Sequence, residues 1–318
     1  MADALAAIIA QISTVLRQSE VSSYAAVSAV AWLAYDILLT APLEIKHIWR
    51  REWSLPKFMF IFARYYALFH LCLVFSVAVA QNIPVRVCAA YIRINGFGTQ
   101  VLAYIVDGLL ILRLHSVYGR KRSVTIPLVI LYAVQAIIEA VLVGVSTSTT
   151  KPTSSPPIIA PWKGCFYTNP PRFVLAAWVP SLIFQSILFA MTLYKLWELR
   201  VNGIKASGIL TVFVRDGAMF FGMVFVAELV NTLTAAIAPL PLLEVGGPWL
   251  IAVFGIATSR LVLNLREYSV VSTIDYGSTT LCSGALEQTG IEMDFRHPRA
   301  TRSSRITSGQ STVENGDA

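Results

Sequence analysis

Charge is scarce in this chain. Asp, Glu, Lys and Arg make up 14% of its 318 residues, against about a quarter in ordinary soluble domains, too little to clothe a water-soluble globule of this length. Cysteine is scarce too. Cys72, Cys88, Cys165 and Cys282 stand far apart with no CxxC or Cys/His pattern, which excludes a disulfide-dense scaffold and a zinc module. His47, His70, His115 and His297 fall in four separate regions, where interfacial or packing roles suit them better than catalysis. No HExxH, GxSxG or glycine-rich phosphate loop occurs, so the chain reads as a non-enzyme with no catalytic, cofactor-binding or metal-ligating residue to name. No lysine lies between Trp249 and Leu265, which excludes a retinal Schiff base in the last apolar run.

What the chain has is apolar length. Hydrophobic residues make up 56% of it, and the mean hydropathy is +0.64, the composition of a chain whose main solvent is lipid. The net charge of +7 gathers in a few short loops. That pattern suits the anionic headgroups of a lipid bilayer and gives no reason to invoke nucleic acid.

Seven runs are long enough to cross a hydrocarbon core of roughly 30 Å. They lie at Val21–Ala41, Phe58–Ala80, Tyr91–Leu114, Val124–Val145, Phe173–Trp197, Gly217–Ala238 and Trp249–Leu265. Gly96, Gly98 and Gly108 allow close helix contact in the third, and Pro180 is expected to kink the fifth. Ile209–Arg215 is a candidate extension of the sixth. The seven tryptophans mostly fall near run ends, where indoles anchor at the interface. The reading is an all-α, polytopic integral membrane protein, a seven-transmembrane helix bundle over residues 24–268.

Residues 1–23 read as an extracellular tail, a short amphipathic helix or loose segment without the positive start of a signal peptide. Residues 269–318, rich in Ser and Thr and dotted with Arg, read as a disordered cytoplasmic tail. RATRSSRITSGQST within it offers hydroxyls near arginines to a basophilic kinase. The stretch from Ser146 to Arg172, crowded with Ser, Thr and Pro, reads as an exposed loop. The first, third and fifth loops each carry four cations, among them Lys46, Arg50, Arg51 and Lys57 in the first. The second, fourth and sixth carry fewer. The positive-inside rule therefore predicts the N-terminus outside and the C-terminus cytoplasmic, in the plasma membrane or an endomembrane.

The stretch around the first loop carries a recognisable pattern: Trp32, Tyr35-Asp36, Leu39-Thr40, Glu44, Ile48-Trp49, Trp53-Ser54, Lys57 and Arg64-Tyr65. Over about residues 24–66 it resembles DUF6533, a mostly basidiomycete fungal family. LRLHSVYGRKR (Leu112–Arg122) and SRLVLNLRE (Ser259–Glu267) are similar to recurring features further along the same proteins. The resemblance implies a multi-pass membrane protein of uncharacterised activity and carries over no site residue. Seven helices with an outer N-terminus, a cysteine near the third run and another in the second outer loop also resemble G-protein-coupled receptors. The Asp-Arg-Tyr and Asn-Pro-x-x-Tyr motifs of those receptors are absent, and fold likeness alone says little about function. The expected function is receptor-like or sensory, with an unknown ligand and a cytoplasmic signalling partner. A small-molecule or proton-coupled transporter is the alternative.

Three sets of residues are candidates. Cys88 and Cys165 both fall in outer loops and are expected to pair, the alternative being two free thiols. Asp36, counted at about 1.5 Å per residue from the end of its run, lies level with Arg64 and Arg260 and is expected to bridge to one or both. The alternative is a protonated Asp36 with both arginines snorkelling to the interface. Asp107, Glu139 and Glu228 are the other intramembrane carboxylates and by default mark an ion or proton path. The alternative is that each is paired, protonated or near a watery mouth, and their counted depths scatter instead of converging.

Overall fold

The computed structural model describes residues 2–50, 52–153, 163–168, 177–201, 208–238, 242–243 and 245–276. Cys282, His297, Trp162 and the serines and threonines of RATRSSRITSGQST lie outside them. Among the described residues, seven helices are long and apolar enough to cross a membrane. In chain order they are α1 (Ala2–Glu44), a composite of α2 (Leu55–Ile61), a π-helical turn (Phe62–Tyr66) and α3 (Ala67–Val79), then α4 (Val85–Val117), α5 (Arg122–Thr149), α6 (Val179–Val201), α7 (Gly208–Ile237) and α8 (Gly246–Tyr276). A second π-helical turn, Ile45–Trp49, continues α1. The only strands among the described residues are β1 (Lys151–Thr153) and β2 (Phe166–Thr168), paired antiparallel.

Chain order nearly dictates neighbours. α6 packs on α7, α7 on α8, and α8 closes the ring against α1 and α3. α8 is the most enclosed span, followed by α4. Ten consecutive α8 residues from Leu250 to Ser259 are buried, as expected of a helix apolar all round and surrounded by others. Close approach needs small residues. At Gly98 a methyl group would stand 2.6 Å from the His70 ring, and at Gly255 one would stand 3.1 Å from both Ala67 and Leu33. His70 itself is buried, hydrogen-bonded to Asn95 at 3.2 Å and Thr99 at 3.3 Å.

Several boundaries differ from the sequence reading. Residues 2–23 are no loose or separate segment but the first turns of α1, a single helix of 43 residues, about 64 Å long and twice what a bilayer needs. Ala and Leu in ADALAAIIAQISTVL propagate a helix readily, and the first residue of α1 described as buried is Ala25. Pro180 does not kink a helix. It is the second residue of α6, in a first turn that has no preceding carbonyl to lose. α7 includes Ile209–Arg215, and α8 continues to Tyr276, past the expected end at Leu265 and into the segment read as tail.

The connection after α5 is partly ordered. Gly164 N–H donates to Ala80 O at 2.9 Å, Lys163 bridges to Gln81, and Cys165 is disulfide-bonded to Cys88, with Cα atoms 5.5 Å apart. Gly164 adopts φ +85° beside the Ala78 backbone, a conformation that favours glycine. The β1–β2 hairpin is thus fastened to the ends of both α3 and α4. At the opposite end, Gly119 and Arg120 turn the chain at φ +65° and +56°. There Tyr118 donates to Met191 O on α6 at 2.9 Å, and burial pushes its phenol above the ordinary tyrosine range.

Candidate functional site

Two buried polar networks stand out. The first begins at Asp36, 3% exposed on α1. Arg260 of α8 reaches its Oδ1 with Nε and Nη2, both at 2.7 Å. Arg64, fully buried in the π-helical turn of the second span, reaches Oδ2 at 3.5 Å. Arg64 also donates through Nη2 to Thr40 Oγ1 and, at 3.4 Å, to Asp36 O. Its Nε lies 3.2 Å from Glu44 Oε2, too bent for a hydrogen bond but close enough for an ion pair. The Phe60 ring lies 5.8 Å from the guanidinium.

Glu44 is not among the candidates that the sequence suggests, because its place near the first loop points to a solvated charge. It is 1% exposed, and its Oε1 accepts from Tyr65 OH at 2.8 Å and Trp49 Nε1 at 3.1 Å. Two carboxylates therefore face two guanidiniums, and the network is neutral as a whole. That balance makes such deep burial tolerable, since an unpaired charge there would cost several kcal/mol. A π-helical turn takes up an additional residue and re-aims the side chains it carries, and such turns gather at functional sites. Here one turn carries Arg64 and the other carries Trp49.

Every member of this network except Arg260 lies in residues 24–69, and those residues match DUF6533, a family of unknown function. The chain is a DUF6533 domain-containing protein. No curated protein and no solved structure matches the chain. Six polar residues of the DUF6533 segment, Asp36, Thr40, Glu44, Trp49, Arg64 and Tyr65, contribute side chains to this clasp. Arg260, 43% exposed at its side chain, ties the segment to α8.

The second network lies outside the DUF6533 segment and corrects the expected scatter of depths. Asp107 (α4), Glu139 (α5) and Glu228 (α7) are all 1% exposed or less, and they belong to one cluster. Gln135 Nε2 lies 3.2 Å from both Asp107 Oδ2 and Glu139 Oε1. Gln185 donates to Asp107 Oδ1, Gln100 donates to Glu139 Oε2, and Ser181 donates to Glu228 Oε1 at 2.8 Å. Ser181 and Gln185 are four apart on α6 and so share a face. A count along each helix misses the cluster because long amide side chains bridge it, Gln135 alone reaching a carboxylate on α4 and another on its own helix. The glutamines, uncharged and scattered in sequence, give no signal of their own.

The structure brings Asp36, Arg64 and Arg260 together, pairs Cys88 with Cys165, and gathers Asp107, Glu139 and Glu228. Among the described residues, no group of three His, Cys, Asp or Glu side chains is arranged to hold a metal ion.

Proposed function

We propose that this protein is a receptor-like, sensory seven-helix membrane protein, with its N-terminus outside and its C-terminus in the cytoplasm. The observation that best supports this reading is the contrast between the two ends of the bundle. At one end the Cys88–Cys165 bond fastens the β1–β2 hairpin covalently. At the other, α1, the second span and α8 are joined without a covalent link, by ion pairs through Asp36, Glu44, Arg64 and Arg260 and by the apolar contacts of Ile48, Phe60, Val262 and Leu263. A fixed end suits an outward ligand-facing scaffold, where an oxidising environment keeps the bond. An end held by breakable charge pairs suits a two-state element that a cytoplasmic partner reads. The cation-rich loops fall at the ion-paired end, in keeping with a cytoplasmic face against anionic lipid. A plasma-membrane or endomembrane location accords with this orientation.

One observation favours a transporter instead: three carboxylates converge inside the membrane, as ion and proton paths require. The readings part in reconstituted liposomes. Under an imposed pH gradient, wild-type protein and Glu139→Gln are expected to give the same passive proton leak as empty vesicles. A protein-dependent flux that Glu139→Gln abolishes would replace the sensory reading with transport.

A further inference from the structure

The turn from α4 into α5 carries a hydroxyl that neither buried network uses. Its sequence, Arg120-Lys121-Arg122-Ser123-Val124-Thr125, twice sets a hydroxyl three residues after an arginine, at Ser123 and at Thr125. The fold separates the two. Thr125 is half-buried, and its Oγ1 lies 2.6 Å from His115 Nδ1 on α4 and 3.3 Å from Lys121 O. Ser123 is exposed, and its hydroxyl makes no hydrogen bond among the described residues. The backbone also favours Ser123. Gly119 and Arg120 are left-handed and Lys121 is extended, so α5 begins only at Arg122. The N–H groups of Val124 and Thr125 both bond to Lys121 O, at 3.1 and 3.3 Å. Pro127 has no N–H to give the Ser123 carbonyl, so this first turn is joined to the rest of the helix by one bond fewer and opens at lower cost.

We infer that Ser123 is a phosphorylation site, modified by an arginine-directed protein kinase that reads the cations before it. Arg120, Lys121 and Arg122 are all exposed, and a guanidinium pairs readily with the carboxylates of such an enzyme. In the transfer, Ser123 Oγ bonds to the γ-phosphorus of a nucleoside triphosphate. The bond from that phosphorus to the departing diphosphate breaks, and the hydroxyl proton passes to the catalytic aspartate of the kinase. The product sets a charge of about −1.5 to −2 beside three cations. It takes the turn from strongly cationic to near neutral and weakens its hold on anionic lipid. Access in the cell rests on the orientation proposed above. The turn lies at the end of the bundle opposite Cys88–Cys165, on the side away from the oxidising environment that keeps such a bond.

The test uses full-length protein in detergent, where both ends of the bundle are open, incubated with magnesium ATP and the catalytic subunit of cyclic-AMP-dependent protein kinase. Modified positions are mapped by mass spectrometry. Phosphate is expected on Ser123 and not on Thr125, and Arg120→Gln is expected to slow it about tenfold, as the loss of one charge-assisted bond implies. Ser123→Ala is expected to lose this phosphate while melting as wild type does. A peptide spanning residues 118–128 reads recognition without the fold. Failure of peptide and protein alike, failure of the protein where the peptide is modified, or phosphate on Thr125 in place of Ser123 overturns the site. In sealed right-side-out vesicles, kinase and ATP added outside are expected to leave Ser123 unmodified until detergent is added. Modification before detergent overturns the orientation and with it the cellular access of Ser123, whereas failure in detergent overturns the site alone.

Discussion

Arg64 shows what one side chain costs and contributes in this bundle. It is fully buried, and its neighbours are the oxygens of Asp36, Thr40 and Glu44. Losing one member of a desolvated ion pair strands the other charge, at about 3 to 5 kcal/mol, whereas losing both costs less. Asp36→Asn and Arg64→Gln are therefore expected to lower the melting temperature in detergent by clearly more, when summed, than the double variant does. Asp36→Asn with Arg260→Gln should show weaker coupling, because Arg260 is 43% exposed and water takes up part of its stranded charge. Purely additive losses in both cycles would remove the clasp from the account. The shared level of Asp36, Arg64 and Arg260 is legible in the sequence, because rise per residue is constant along a helix. Glu44 is not legible there. A carboxylate beside a cationic loop looks solvated until the fold shows Trp49 and Tyr65 enclosing it.

Among the elements, the spans are easiest to read, since apolar length is a local property that seven runs display without tertiary information. Helix ends are harder. α4 and α8 continue helically beyond their apolar runs, whereas the extension of α7 over Ile209–Arg215 is visible in the sequence. The convergence of Asp107, Glu139 and Glu228 is lost because it is made by side chains that bridge between helices, Gln135, Gln185 and Ser181, which a count along one helix does not register. The β1–β2 hairpin is hidden in composition that suggests only loop, and its order comes from long-range fastening. The disulfide closes a sequence separation of 77 residues, for which the loop-entropy model gives about 4 kcal/mol. Cys88→Ser and Cys165→Ser should each lower thermal stability by about 2 to 5 kcal/mol, and the double variant should cost no more than either single. Non-reduced protein should resist alkylation at both positions, with Cys72, an exposed free thiol, as the labelled control. Modification of both would show two free thiols.

For the whole molecule, orientation follows from charge. If the cation-rich loops are cytoplasmic, protease added to sealed right-side-out cells should spare a tag placed after Ala318. Clipping with the membrane intact would reverse the bundle. The central claim is that one end is fixed covalently while the other depends on the non-covalent clasp. Spin-label distances in lipid nanodiscs test it most directly, with Cys72 and Cys282 replaced by serine. One label pair, at the exposed positions Leu38 of α1 and Met219 of α7, reports the clasp end. The other, at the exposed Tyr24 of α1 and Leu233 of α7, reports the hairpin end. With Asp36→Asn, the Leu38–Met219 distribution is predicted to broaden and lengthen while Tyr24–Leu233 stays as in wild type. Unchanged distances at both ends, or equal movement at both, would contradict the account.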